Sequence, residues 1–412
     1  MTMARRSAPN VKIYRVGGSV RDELLGRPVV DHDWVVVGAT PEILIASGYK
    51  PVGRDFPVFL HPDTREEYAL ARTERKHGHG YRGFEFFVSP DVTLDEDLLR
   101  RDLTINAMAR DESGTLIDPF GGETDLRAGI LRHVSPAFAE DPLRVLRVAR
   151  FAARFGFKVA RPTLALMREL SASGELAELA PERIWQELAR GLMEPHPARM
   201  IEVLRDCGAL ARLLPEVAAG FVASPRRAGI ARHLTGALDL AAKRGSALPV
   251  RYAILVHDPA TTKPAVTGDF ARSVRTAEAV SSRLRAPAEC RDAARLAARW
   301  RHVVDGVDAA PPARLLELLS AADALRRPER IDALLEVCTC IALSAKRSAT
   351  SYPQAAIVRA ALIAVKSVDA GAIARRVPRS PERTDADAIA HAVRAARLAA
   401  LRELLRKRPS PR

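Results

Sequence analysis

The 412 residues are enough for two to four domains, and with 47% of them apolar the chain can bury cores and is not disordered. Lys and Arg number 64 against 50 Asp and Glu, a formal charge of +14 carried mostly by Arg; this favours a polyanionic partner, because guanidinium binds phosphate bidentately, although a genome rich in G and C produces the same excess without function. No apolar run is long enough to span a membrane, and Met1–Asn10 lacks the apolar stretch of a secretory signal and is expected to be a frayed extension.

Val11–Val16 alternates as a strand and runs into Gly17-Gly18-Ser19-Val20-Arg21-Asp22, a glycine turn that opens a helix at Val20. Two glycines let the backbone approach a phosphate closely, while free N–H groups at the helix start and Arg21 supply positive potential. Asp31-His32-Asp33 then enters an apolar strand, Trp34–Gly38. Alternate strand residues point the same way, so both carboxylates share one face. Two carboxylates beside a phosphate cradle describe a site for hard divalent cations on a nucleotide. Taken singly, a Gly-Gly turn is common and an Asp-x-Asp is most often solvated.

A helix is expected from Pro41, with Thr40 as its N-cap. Strands follow at Val58–Leu60, Glu67–Arg72 and Phe84–Val88. Thr73–Gly83 is polar and basic and reads as a mobile loop; its His77 and His79 lack nearby acids for a metal site. Thr93 and Glu96 form a capping box that opens a helix running through Arg110. Asp118 belongs to a structural Asp-Pro turn, and Ile130–Val134 is a short strand closing the domain. Beyond Ser135 the pattern becomes helical: Ala139–Arg154, Arg161–Ser171, Pro181–Met193, Pro197–Leu210, Ala231–Lys243, Val250–Val256, Ala286–Trp300, Pro312–Ala324, Pro328–Ala342, Gln354–Lys366 and a basic helix over Ala386–Arg406. Cys207, Cys290, Cys338 and Cys340 show neither zinc spacing nor a disulfide framework, which suits core positions in a reducing cytoplasm.

The glycine turn followed by Asp31-x-Asp33 resembles the nucleotidyltransferases related to polymerase β. A longer series is similar to the bacterial class II tRNA nucleotidyltransferases, the CCA-adding enzymes: Lys12–Gly18, Arg54–Leu60, Glu66–Arg72, Arg100–Ala107 and Glu140–Arg144. The likeness is dense over residues 11–215 and thin afterwards. It implies an α+β chain: a mixed-sheet nucleotidyltransferase head over 11–135, followed by an all-α neck (136–215), body (216–345) and basic tail (346–412). Asp31 and Asp33 are then the catalytic residues and the ligands of Mg2+. Two such ions neutralise the triphosphate and align the RNA 3′-hydroxyl. Glu67, on a neighbouring strand, is a tentative third ligand; its alternative is an exposed acid on an edge strand, as Glu66 is expected to be. Gly18 and Arg21 resemble the family's triphosphate contacts, the alternative for Arg21 being a pair with Asp22 or Glu23 on the helix surface. Of Arg100 and Arg101, the resemblance favours Arg101 as the nucleotide contact. Asp102 and Asn106, four apart on the same expected helix, either shape the sugar pocket or make a structural bond.

Asp141 and Arg144 are one turn apart and are expected to share a helix face. Asp accepts and Arg donates. Cytosine and adenine each offer an amino donor beside a ring-nitrogen acceptor, so one Asp–Arg pair can read either, whereas guanine and uracil have the opposite polarity. Arg147 and Arg150 continue the stripe toward the triphosphate; the plain alternative is a helix-start Asp with a solvated Arg face. His257-Asp258 resembles the core of an HD phosphohydrolase domain, with His233 as a further remnant. Pro-Ala-Thr-Thr follows Asp258 and no histidine lies between Lys263 and Trp300. The body is therefore read as HD-like in shape and short of metal ligands.

These features imply stepwise addition of C, C and A to the 3′ end of tRNA, from CTP and ATP, in the cytoplasm and with no membrane. A poly(A) polymerase-like adenylyltransferase is the alternative within the class. A non-catalytic RNA-binding protein on a dead scaffold is the alternative outside it, disfavoured by the intact Asp31 and Asp33. A metal phosphohydrolase acting through His257 and Asp258 is a further one. Oligomeric state is not legible.

Overall fold

A computed structural model describes residues 11–29, 31–52, 58–76, 84–221, 228–257, 270–345, 351–377 and 385–407. The N-terminal extension, Arg54–Pro57, the loop histidines His77 and His79, and Asp258 lie outside them. The chain divides into two compact units, Met1–Gly191 with Arg199–Leu213, and Leu192–Ala198 with Leu214–Arg412. The expected head and most of the neck fall in the first, the expected body and tail in the second.

The first unit opens with β1 (Lys12–Val16), α1 (Gly18–Leu24), β2 (Asp33–Val37), α2 (Pro41–Ala46), β3 (Lys50–Val52), β4 (Val58–Leu60), β5 (Glu67–Leu70), β6 (Arg72–Lys76) and β7 (Phe84–Val88). It continues through α3 (Leu94–Leu99), β8 (Ala109–Arg110), β9 (Leu116–Ile117), α4 (Gly122–Ala128), β10 (Ile130–Leu131), α5 (Leu143–Phe155), β11 (Lys158–Val159), α6 (Arg161–Ser173), α7 (Pro181–Met193), α8 (Pro197–Asp206) and α9 (Ala209–Leu213). Seven strands form one mixed sheet in the order β3-β4-β5-β2-β1-β8-β9. β2 runs parallel to β5 and antiparallel to β1. The unbroken Val35-Val36 run reflects burial on both faces. Val35 packs with Val16, Leu94, Leu98 and Ala109, while Val36 packs with Leu44, Phe59 and Leu70 on the other side.

Four expectations are corrected. The helix opened by Thr93 has both halves of its capping box but ends at Leu99. A 3-10 turn at Thr104–Asn106 follows, and Ala109 then pairs with Val16 in the main sheet, which a helix through Arg110 could not do. Thr73–Lys76 is not loop but part of β6, paired with β7. The strand expected over Ile130–Val134 is only Ile130–Leu131 and pairs with β11, outside the main sheet. The helix expected from Ala139 starts at Leu143: a 3-10 turn over Pro136–Glu140 precedes Pro142, which takes the N-cap position.

The second unit, as described, is helical: α10 (Pro215–Ala218), α11 (Ala228–Lys243), α12 (Leu248–Val256), α13 (Ala271–Arg283), α14 (Ala288–Asp305), α15 (Pro312–Ala321), α16 (Pro328–Ala345), α17 (Pro353–Lys366), α18 (Ala370–Arg376) and α19 (Asp385–Arg406). Sequence periodicity misses α13 because its buried face is Ser273, Ala277, Val280 and Ser281, small residues that hardly register as an apolar stripe. All four cysteines are free and buried. No described helix is long and apolar enough to cross a membrane.

Candidate active site

The site is built in the first unit around the β1–α1 turn. Gly17 has φ +69°, and its N–H donates to the Met108 carbonyl at 3.1 Å. A Cβ there would lie 2.8 Å from Arg101 Nη1, so glycine is what allows the turn and this guanidinium to come together. Arg101 is held from behind by Asp97, a fully buried carboxylate that accepts from Arg101 Nη2 at 3.1 Å and from Arg100 Nη2 at 2.6 Å. Burial alone would raise the Asp97 pKa, but the charges of Arg101 and Arg100 outweigh it and hold the group below its ordinary value. The two arginines then diverge. Arg100 Nε donates to the Arg72 carbonyl, whereas Arg101 Nη1 reaches the Asn106 carbonyl beside Gly17.

Asp33 begins β2 and stands directly across from Glu67 on β5, so these two side chains share a face. Asp31 lies two residues upstream, before the strand, and is exposed. Protein bulk around Asp33 raises its pKa, Arg101 opposes that shift, and the neighbouring charge of Asp31 adds to it. Glu67 lies on an interior strand, between β4 and β2, and not on an edge. Among the described residues no cage of three or more His, Cys, Asp or Glu ligands is preassembled. Two mutually repelling carboxylates nonetheless fit a hard cation that takes one or two protein ligands and completes its shell with phosphate and water. On the opposite face Glu66 accepts from His32 and Trp34, so it is a bonded group and not an idle surface acid.

Arg21 is buried, with 3% exposure. Its Nε and Nη2 donate to the Asp22 carboxylate at 2.9 and 3.0 Å, its Nη1 donates to Asn106 Oδ1, and its guanidinium lies over Phe151 and Phe155. Burial lowers its pKa, and the bond to Asp22 resists that. The Asp22 partner foreseen as a surface pair is thus an interior one. Asn106 Nδ2 also donates to Asp102 at 2.9 Å, and Asp102 accepts from Arg147 Nε at 2.8 Å. A continuous hydrogen-bonded path therefore runs from the glycine turn through Arg21, Asn106 and Asp102 to α5.

On α5 the expected stripe is divided. Asp141 lies outside the helix, in extended conformation; its Oδ1 accepts from the Leu143 N–H and its Oδ2 from Arg183 at 2.9 Å. It does not share a helix face with Arg144, because Pro142 occupies the N-cap between them. Arg144 is buried and donates to the carbonyls of Ala137 at 2.6 Å and Arg100 at 2.7 Å. Arg147 faces Asp102. Arg150 is buried against Glu187 at 2.6 Å and stacks over Phe151, so it braces α5 against α7. Sequence reasoning missed Arg154, which reaches Asp22 at 2.8 Å, and Arg183 and Glu187 of α7. Arg154 lies seven residues after Arg147, a spacing that was there to be read. Asp118 caps α4 by accepting from the Gly122 and Glu123 N–H groups, as expected for a structural turn.

In the second unit His257 is buried, with Nδ1 2.6 Å from the Ile254 carbonyl. Burial, together with the charge of Arg301, pushes its pKa down to about 3. Arg301 pairs with Asp305 at 2.9 Å, and the Tyr352 hydroxyl donates to the same carboxylate at 2.6 Å. The cation whose charge acts on His257 is thus itself paired with Asp305.

Family comparisons bear on this geometry. The model of the Poly A polymerase head domain matches residues 13–132, and that of the probable RNA and SrmB-binding site of polymerase A matches residues 156–221. The chain is 56% identical over 407 residues to the multifunctional CCA protein of Aromatoleum aromaticum, covering 95% of this chain and 98% of that one. Among solved structures it is similar to the Bacillus stearothermophilus CCA-adding enzyme in complex with CTP, at 25% identity and a TM-score of 0.62, over 96% of this chain and 93% of the other. A CCA-adding enzyme structure with ATP shares the fold at 20% identity and a TM-score of 0.65, over 96% and 88% of the two chains.

Proposed function

Because the chain belongs to the multifunctional CCA protein family of CCA-adding tRNA nucleotidyltransferases, we propose that the carboxylates Asp31 and Asp33, with Glu67 beside them, are the centre at which it extends tRNA. The enzyme adds C, C and A to the tRNA 3′ end from CTP and ATP. Its divalent cation, which we take to be Mg2+, neutralises the triphosphate and lowers the cost of ionising the 3′-hydroxyl when bound.

The residues do the rest. Asp31 and Asp33 would hold the cation. Gly17 and Gly18 allow close approach of the triphosphate, and Arg101, fixed by Asp97, offers the guanidinium nearest that approach. Arg21 supports the turn from beneath, its donors committed to Asp22 and Asn106. Arg147, on the far side of Asp102, extends positive potential along α5. Asp141 and Arg144 would read the Watson–Crick edge of the incoming base; the carbonyls of Ala137 and Arg100 fix the plane of Arg144, and Arg183 fixes the carboxylate of Asp141. Four buried free cysteines support a cytoplasmic setting.

The observation that carries this reading is the register that sets Asp33 directly across from Glu67, beside a glycine turn against which Arg101 is packed. Asp31→Ala and Asp33→Ala are each expected to abolish incorporation of both CTP and ATP into tRNA lacking its 3′ end, with tRNA binding retained. Loss of tRNA binding with loss of activity would assign these residues to folding instead.

A further inference from the structure

The two carboxylates are not held alike. Asp33 is fixed by strand pairing to Val16 and Glu67. Both are exposed, but Asp31 precedes the strand, outside that ladder. Between them His32 turns to the other face of the sheet, where its Nδ1 donates to Glu66 Oε1 at 2.9 Å. The second Glu66 oxygen accepts from Trp34 Nε1 at 3.2 Å and from Thr64 Oγ1 at 3.1 Å. Trp34 stacks on Tyr68 at 5.5 Å and 11°, and the Glu66 carbonyl accepts from the His61 N–H at 3.0 Å. Glu66 is therefore anchored at its backbone and grips the two alternate side chains that flank Asp33, on the face away from the cation.

We propose that Glu66, acting through His32, is a positioning residue for the cation site: it holds the segment leading into β2 so that Asp31 faces the same ion as Asp33. The physical reason is the period of an extended chain. Fixing His32 on one face commits its neighbours Asp31 and Asp33 to the other. Without the brace, Asp31 would have to be ordered when the cation binds, and the cost of that ordering would be subtracted from affinity. A neutral amide at 66 keeps one acceptor but turns the other end into a donor facing His32 or Trp34 N–H. The proposal rests on Asp31 and Asp33 being the cation ligands.

The test is a Tb3+ titration of the full-length protein, followed by sensitised luminescence, on wild type, Glu66→Ala, Glu66→Gln, His32→Ala and Asp31→Ala. Circular dichroism and the melting temperature report folding, and the Mg2+ dependence of CTP incorporation is measured in parallel. Loss of an outer-shell partner is expected to raise the Tb3+ midpoint about tenfold in Glu66→Ala and His32→Ala, less in Glu66→Gln. Saturating Mg2+ should restore most of kcat in these variants and none of it in Asp31→Ala. Should Glu66→Ala unfold, His32→Ala carries the test, since its side chain is 35% exposed. An unchanged midpoint in folded His32→Ala and Glu66→Gln, beside a raised one in Asp31→Ala, overturns the brace alone. An unchanged midpoint in Asp31→Ala overturns the cation reading beneath it.

Discussion

Asp102, 6% exposed, accepts from Asn106, from Arg147 and from its own neighbour's N–H. Burial would raise its pKa, but the charge of Arg147, with the bonds from Asn106 and Arg147, outweighs that and holds it at about 2, against an ordinary value of 3.8. A depressed carboxylate contributes stability above its unfolded pKa and loses it as pH falls through its folded one. The contribution of Asp102, about 2 kcal/mol for a shift of this size, is thus complete above roughly pH 4 to 5 and fades toward pH 2. Asp102→Asn should therefore unfold at lower urea concentration than wild type at pH 7, and the two midpoints should converge as pH falls from 5 toward 3. A gap that stays constant over that range would mean Asp102 matters for its shape and not for its charge. The same residue shows why local reading stops short: its spacing to Asn106 was legible, but its partner Arg147 is 45 residues away, and nothing in a linear pattern names it.

At the scale of elements, what was legible follows from how each is stabilised. β2 announces itself because both of its faces are buried, and α7 because a proline opens it and its apolar stripe keeps helical period. The segment after Leu99 misleads because its residues favour helix locally, while pairing of Ala109 with Val16 requires a strand. The register of Asp33 with Glu67 follows from the β2–β5 alignment and could not be read from either strand alone. The arginines of α5 are the sharper case. Arg144, Arg147 and Arg150 read in sequence as one stripe running toward the triphosphate, yet the first donates to backbone carbonyls and the other two meet Asp102 and Glu187, while Arg154 meets Asp22. A buried pair such as Arg150–Glu187 is costly to break, since one partner's removal strands the other's charge. Glu187→Ala should lower unfolding stability by about 3 to 5 kcal/mol, in the urea transition sensed by Trp34 and Trp185, and Arg150→Met with Glu187→Leu should recover most of it. If Glu187→Ala leaves stability unchanged and instead weakens CTP and ATP binding, Arg150 belongs to the nucleotide and not to the helix contact.

Over the whole molecule the question is what the surplus of positive charge does. Many arginines are engaged within the fold, Arg21 with Asp22, Arg183 with Asp141, Arg244 with Glu336, Arg283 with Glu216 and Arg301 with Asp305 among them. Each such pair consumes one acid and one base, so internal pairing cannot absorb the net charge of +14. A compositional origin and an RNA-binding role both predict basic surface, but they differ in what salt does. Neutralising tRNA phosphates releases condensed counterions, and the logarithm of the binding constant then falls linearly with the logarithm of salt concentration, by about 0.7 to 0.9 for each phosphate contacted. About five contacts would weaken tRNA binding on the order of a hundredfold between 50 and 200 mM monovalent salt. The measurement is a filter-binding or anisotropy series at fixed Mg2+, with tRNA lacking its 3′ end. A steep slope assigns the surplus to the polyanion; a slope near zero would mean that the arginines of this chain reflect composition and that tRNA is held by shape and hydrogen bonding alone.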